Sequence, residues 1–152
     1  MKVKILFVCL GNICRSTMAE AILRHKAKQS GFEIETDSAG TAGYHIGSSP
    51  DYRTMDVLAE HGIDYTHKGR QISDRDYYYY DYILVMDESN FANVKQEEPI
   101  DGIAHIALVR KYDADQTSLP VPDPYYGGAQ GFNEVYQLLD ESIEGFLGSI
   151  NY

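Results

Sequence analysis

Residues 2–10, KVKILFVCL, form an almost unbroken apolar run rich in β-branched side chains, the pattern of a strand buried on both faces of a parallel sheet. The period then changes. Residues 16–29 place Met18, Ala19, Ile22, Leu23 and Ala27 at helical spacing and reach a stop at Ser30-Gly31. Residues 32–39 read as a second strand, and 40–50 as a Gly/Ser-rich loop. A helix over 51–61 carries Met55, Leu58 and Ala59 on one face and stops at Gly62. Residues 82–86, YILVM, predict another buried strand, 88–96 a helix, and 103–108 a weaker fourth strand. Residues 131–147 close the chain as a long amphipathic helix on Phe132, Val135, Leu138, Leu139, Ile143 and Phe146. Strands alternating with helices predict right-handed crossovers and an α/β, doubly wound parallel sheet. Ligands of such sheets bind beyond the carboxyl ends of the strands, where strand order reverses.

No linker or repeat interrupts the series, so residues 1–152 are expected to form a single domain, long enough to bury a core without metals or disulfides. With 13 basic and 23 acidic residues the formal net charge is -10, which repels nucleic acid and anionic membranes at long range. A phosphorylated substrate stays possible, because backbone amides and one arginine hold an anion in a locally positive pocket. Residues 1–10 lack the length and cleavage site of a signal peptide, and no stretch approaches the ~20 apolar residues of a membrane helix. Cys9 and Cys14 are too few and too close for a secreted disulfide framework. A reducing, cytoplasmic setting with reactive thiols is the expectation.

The most informative segment is 9–16: Cys9, Leu10, Gly11, Asn12, Ile13, Cys14, Arg15, Ser16. It leaves a buried strand, turns, and enters a helix N-terminus with Cys-x5-Arg-Ser spacing. A loop of this size wraps successive N–H groups around a tetrahedral anion, and the helix end adds partial positive charge. Gly11 permits a tight path, and Asn12 tolerates the left-handed conformation that such a nest needs. Arg15 offers a bidentate fork to two phosphate oxygens, and Ser16 is placed to hydrogen-bond the Cys9 sulfur. These donors favour a thiolate aimed at phosphorus and stabilise the charge on the equatorial oxygens in the transition state, with no metal or cofactor required. No Walker A loop, Gly-x-Gly-x-x-Gly fingerprint or Cys-x-x-Cys redox pair is present. A structural cysteine ending a strand is the plainer explanation of Cys9 alone; strand, glycine, Arg-Ser and helix start together outweigh it.

A leaving alkoxide or phenoxide must be protonated, so a carboxylic acid is expected across the pocket. Asp123 is the candidate, in the stiff loop PVPDPYYGG at 120–128. By itself Asp-Pro reads as an ordinary turn, and only partnership with the Cys9 loop favours an acid.

VCLGNICRS at 8–16, DSAGT at 37–41, Met86-Asp87 and Asp123-Pro124-Tyr125 together resemble the low-molecular-weight protein tyrosine phosphatase family, in order over almost the whole chain. The resemblance implies a four-stranded parallel sheet with helices on both faces, flavodoxin-like, and a two-step reaction through phosphocysteine at Cys9. Arg15 would clamp the phosphate, and Asp123 would act first as acid and then as base for the hydrolysing water. It further implies phosphate binding by residues 10–16, that is Leu10, Gly11, Asn12, Ile13, Cys14, Arg15 and Ser16. Support would come from Ser38 and His67 ordering Asn12 and from Asp87 behind the site, and Tyr44 and Tyr125 would wall in the substrate ring. Cys14 matches a thiol that traps oxidised Cys9 as a disulfide. Partners would be phosphotyrosine-containing proteins acted on by a monomer, with inorganic phosphate as product.

Thr17 departs from the proline common at that position in bacterial members, a change a first helical turn tolerates. Thioredoxin-linked arsenate reductases resemble the family but need further cysteines, and none follows Cys14. Protein arginine phosphatases of the family carry Thr where Ile13 stands, so Ile13 favours tyrosine selectivity; arginine phosphatase activity is the alternative, and a non-catalytic phosphate-binding module the more distant one. The tyrosine run at 77–80 is expected as an aromatic helix covering the sheet rather than a phosphorylation site. His25, His45, His61 and His105 lack metal spacing and are expected in solvated or capping roles.

Overall fold

In the computed structural model, which describes residues 2–113, 120–125 and 128–150, the first apolar run becomes β1 (Val3–Cys9). Ile5, Phe7 and Cys9 enter one buried cluster, and Leu6 and Val8 enter another. That split is what a period of two demands of a strand covered on both faces. With β2 (Ile34–Gly40), β3 (Tyr82–Val85) and β4 (His105–Leu108) it forms one sheet in the order β2-β1-β3-β4, every pair parallel. The chain leaves β1 toward β2 and later returns past it to β3, so strand order reverses at the C-terminal end of β1, where Cys9 lies opposite Gly40.

Helices α1 (Arg15–Ser30), α2 (Tyr52–Glu60) and α5 (Gly128–Ile150) cover the face of Ile5 and Phe7. The opposite face is closed by α3 (Asp76–Tyr79) and α4 (Glu88–Gln96) through Tyr77 and Val94. Helix ends follow local chemistry. Gly31 takes the left-handed conformation at φ 74° and closes α1 with an N–H bond to Ala27 O. Asp51, expected inside the second helix, stands before it and accepts from the Arg53 N–H as its cap.

Other expected boundaries move as well, the second strand running from Ile34 to Gly40 rather than over 32–39. The fourth strand begins at His105 rather than 103, because the Ile103 and Ala104 N–H groups are turned back to Tyr77 O. α1 begins at Arg15, so the arginine itself opens the helix. α5 starts at Gly128, earlier than its apolar stripe signals, and runs to Ile150. The tyrosine run is the covering helix that was expected: Tyr77 is fully buried and donates to Val94 O at 2.7 Å, and Tyr80 is buried as well. Among the described residues no helix is long and apolar enough to cross a membrane.

Candidate active site

From Cys9 the chain runs through a loop whose carbonyls are occupied from outside. Cys9 O accepts from Thr41 N–H at 2.8 Å, Leu10 O from Ala42 at 3.0 Å, Ile13 O from Asp51 at 2.9 Å, and Cys14 O from Met18 at 3.0 Å. Each peptide unit is planar, and no described bond is cis. The N–H groups that follow, on Leu10, Gly11, Cys14 and Arg15, therefore point the opposite way. Those four residues line a cleft of about 250 Å³ together with Cys9, Ile13, Tyr44, His45, Asp123 and Tyr125. Amides on a cleft wall at the start of α1 are the elements from which an anion nest is built.

Asn12 holds the nest in shape. Its φ of 58° makes it the non-glycine residue with a positive φ among those described, a conformation asparagine adopts at little cost. All four hydrogen-bonding positions of its amide are used. Nδ2 donates to Ser16 Oγ at 2.9 Å and to Ser38 Oγ at 3.0 Å, while Oδ1 accepts from His67 Nε2 at 2.8 Å and from the Arg70 N–H at 3.0 Å. Because Ser16 Oγ accepts from Asn12, its own hydrogen is left for the Cys9 sulfur, 3.0 Å away.

Behind this lies a second layer. Ser38 Oγ donates to Glu20 Oε1 at 2.8 Å, and Tyr65 donates to the same oxygen at 2.7 Å. Burial pushes the Glu20 carboxyl above its ordinary range, against those two hydrogen bonds and the charge of Arg24. Burial also holds the His67 imidazole below its ordinary range, with Asp37 pulling the other way. Glu20, Asp37 and His67 lie close enough together to share a cation, yet their oxygens already take bonds from Ser38, Tyr65, Arg24 and Arg70. Two guanidiniums beside them oppose a further positive charge.

Arg15 is almost fully buried, and its Nη1 donates to Asp87 Oδ2 at 2.7 Å and to Val121 O at 3.1 Å. Asp87 also caps α4, accepting from the Asn90 N–H at 2.8 Å. Burial alone would lower the guanidinium's pKa, but the nearby Cys9 and the hydrogen-bonded Asp87 outweigh it and raise it further. Asp123 is half exposed, with Oδ2 at 3.8 Å from Arg15 Nη2 and Oδ1 accepting from the Tyr125 N–H at 3.0 Å. The guanidinium therefore links the nest to the loop carrying the carboxyl.

Cys9 and Cys14 are both free and buried. Burial first, then the charges of Asp51, Cys9 and Asp123, push the Cys14 thiol up to about 12, so it stays protonated near neutrality. In native protein at pH 7.5, iodoacetamide is expected to alkylate Cys9 and to spare Cys14 until the chain is unfolded. Peptide mass mapping showing comparable labelling of both thiols in the folded state would contradict this environment.

A family model described as low molecular weight phosphotyrosine protein phosphatase matches residues 4–152. The chain belongs to that family. The Schizosaccharomyces pombe low molecular weight phosphotyrosine protein phosphatase is 42% identical over 151 residues, covering 97% of each chain. Its Homo sapiens counterpart is 44% identical over 147 residues, 94% of this chain and 92% of the relative. Among solved structures, that of DARP, a drosophila arginine phosphatase, superposes with a TM-score of 0.92 at 36% identity, over 99% of both chains.

Within this phosphatase fold the predicted site residues fall into two sets. Cys9, Leu10, Gly11, Ile13, Cys14, Arg15, Tyr44, Asp123 and Tyr125 line the cleft. The side chains of Asn12, Ser16, Ser38, His67 and Asp87 stand behind it, bonded to one another or to Cys9 and Arg15. Gly11 permits the tight path expected of it without a positive φ: a Cβ there would lie 3.0 Å from His45 Cδ2. His45, expected in a solvated role, lines the cleft. His61 takes the capping role, as the C-cap of α2, and also stacks on Tyr136 with ring centroids 3.8 Å apart. Thr17 is buried and donates to Cys14 O at 2.9 Å, a hydrogen bond that a proline there could not make. The Tyr126-Gly127 end of the Asp123 loop lies outside the described residues.

Proposed function

We propose that this phosphatase hydrolyses phosphotyrosine in proteins through a phosphocysteine on Cys9. The observation that carries the proposal is the convergence of Cys9, Arg15 and Asp123 on one cleft walled by Tyr44 and Tyr125. The phosphoryl oxygens sit in the amide nest and against Arg15, whose fixed fork matches two of them. The Cys9 thiolate, hydrogen-bonded by Ser16, attacks phosphorus in line; the S–P bond forms as the P–O bond to the tyrosyl oxygen breaks. Asp123 gives its proton to that oxygen and then, as carboxylate, takes one from the water that attacks phosphorus. Breaking the S–P bond returns the thiolate and releases inorganic phosphate. Both free thiols suit a reducing cytoplasm, and the cleft is complete within one chain, consistent with action as a monomer.

The phosphoarginine alternative rests on the likeness to DARP. Against it, Ile13 presents an apolar side chain at the cleft and two tyrosines flank the entrance, a surface suited to an aryl ring. Purified protein is expected to hydrolyse phosphotyrosine peptides well above phosphoarginine peptides. Asp123→Ala is expected to lower kcat/KM on phosphotyrosine by roughly 10²–10⁴-fold. A preference for phosphoarginine would overturn the substrate assignment, and an unchanged Asp123→Ala variant would overturn the acid.

A further inference from the structure

The loop that carries Asp123 has prolines at 120, 122 and 124. Proline has no N–H and cannot join a backbone ladder, so such a loop must be held by other groups. The Val121 N–H donates to Met86 O at 2.8 Å. Two consecutive carbonyls of the loop are then taken by two arginines. Arg15 Nη1 donates to Val121 O at 3.1 Å, and Arg110 Nη1 donates to Pro120 O at 3.3 Å. Arg15 approaches from the phosphate nest. Arg110 approaches from the short 3₁₀ turn after β4, Val109–Tyr112.

Arg110 is itself fixed from behind. Its side chain is only 14% exposed, and Nε donates to Asp113 Oδ2 at 2.9 Å. Asp113 is buried and also accepts from the Ser142 hydroxyl of α5. A buried ion pair pays desolvation on both partners and adds little net stability. What this pair supplies is direction: with Nε locked on Asp113, the planar fork presents Nη1 to one carbonyl, three residues before the carboxyl that must meet the leaving oxygen.

We propose that Arg110, held by Asp113 and Ser142, is a positioning residue that sets the reach of Asp123 toward the leaving group; the proposal rests on Asp123 being the general acid. Without Arg110 the Pro120 carbonyl loses its partner and the loop pivots about Val121. The nest, Cys9 and Arg15 are untouched, so attack on phosphorus proceeds while protonation of the leaving oxygen falters. The signature is therefore a dependence on leaving group, and a merely structural residue would not show it.

The test is a series of aryl phosphates from phenyl phosphate to 2,4-dinitrophenyl phosphate. It is read in kcat/KM, which reports the first half-reaction, with thermal midpoints measured alongside. Wild-type protein should show a shallow dependence and Asp123→Asn a steep one. Arg110→Met is expected to lose on the order of tenfold on phenyl phosphate while staying within about twofold on 2,4-dinitrophenyl phosphate. Arg110→Lys, able to serve one partner at a time, should fall between. A uniform loss across the series, or a lowered midpoint with an unchanged slope, overturns the positioning role while leaving the acid intact. A shallow dependence in Asp123→Asn overturns the acid itself and the inference with it. Should Arg110→Met fail to fold, Arg110→Lys decides alone: a slope steeper than wild type supports the role, and a wild-type slope overturns it.

Discussion

Cys9→Ser is expected to abolish turnover of phosphotyrosine while the variant still binds it. The change replaces one atom. A serine hydroxyl is not ionised at neutral pH, so the anion that would attack phosphorus is gone, and a loss on the order of 10⁵-fold or more is the scale for removing a nucleophile. Binding should survive because none of the groups that shape the nest passes through the sulfur. Asn12 stays tied to Ser16, Ser38, His67 and Arg70, and Arg15 stays on Asp87 and Val121. Ser16 keeps a partner for its hydroxyl hydrogen in the new oxygen. Rapid quench with labelled phosphotyrosine peptide checks the claim, because wild-type protein should accumulate a phosphoenzyme and the variant none. A variant that turned over at more than a thousandth of the wild-type rate would place the covalent step elsewhere.

The chemistry of the site was legible where it is local. A strand buried on both faces, a turn, an asparagine that accepts positive φ, and an arginine opening a helix occupy consecutive positions. Each has its own residue-level cause, and the structure joins them in that order. Asp123 was legible only through its partnership with the Cys9 loop, since an Asp-Pro pair in a proline-rich loop has the composition of any turn. The buttress was half legible: Ser38 and His67 followed from the resemblance, but Glu20 and Tyr65 did not. Nothing in the spacing of the first helix singles out Glu20, and only the fold brings it against the hydroxyls of Ser38 and Tyr65. His45 and Arg110 were missed for the same reason. Periodicity reports which face of an element is buried, and it is silent on which polar groups from distant segments meet. The β4 boundary moved because backbone bonds from residues 103 and 104 to Tyr77 override an apolar pattern that looked like strand.

Gly145→Ala should be the most destabilising single-methyl change in α5, and Gly148→Ala, less than one turn further, should act in the opposite direction. Intrinsic propensity alone makes both favourable, since alanine is the better helix former by roughly 0.5–1 kcal/mol. Packing separates them. A Cβ on Gly145 would lie 1.8 Å from the Tyr112 carbonyl oxygen and 2.9 Å from its carbonyl carbon, whereas one on Gly148 meets nothing within 4 Å. The obstacle at Gly145 is backbone, so no side-chain rotation relieves it, and α5 must move away from the 3₁₀ turn by more than an ångström. That movement pulls on Phe146, which meets the Tyr112 ring edge to face at 5.1 Å, and on the Ser142 hydrogen bond to Asp113. Overpacking of this kind costs about 3 kcal/mol, a fall in the thermal midpoint on the order of 10 °C for a chain of this size. Differential scanning calorimetry of the two variants checks it. A Gly145→Ala protein as stable as Gly148→Ala would mean that the helix and the turn are not in backbone contact in solution. The support proposed for Arg110, which depends on that contact through Asp113 and Ser142, would then be lost as well.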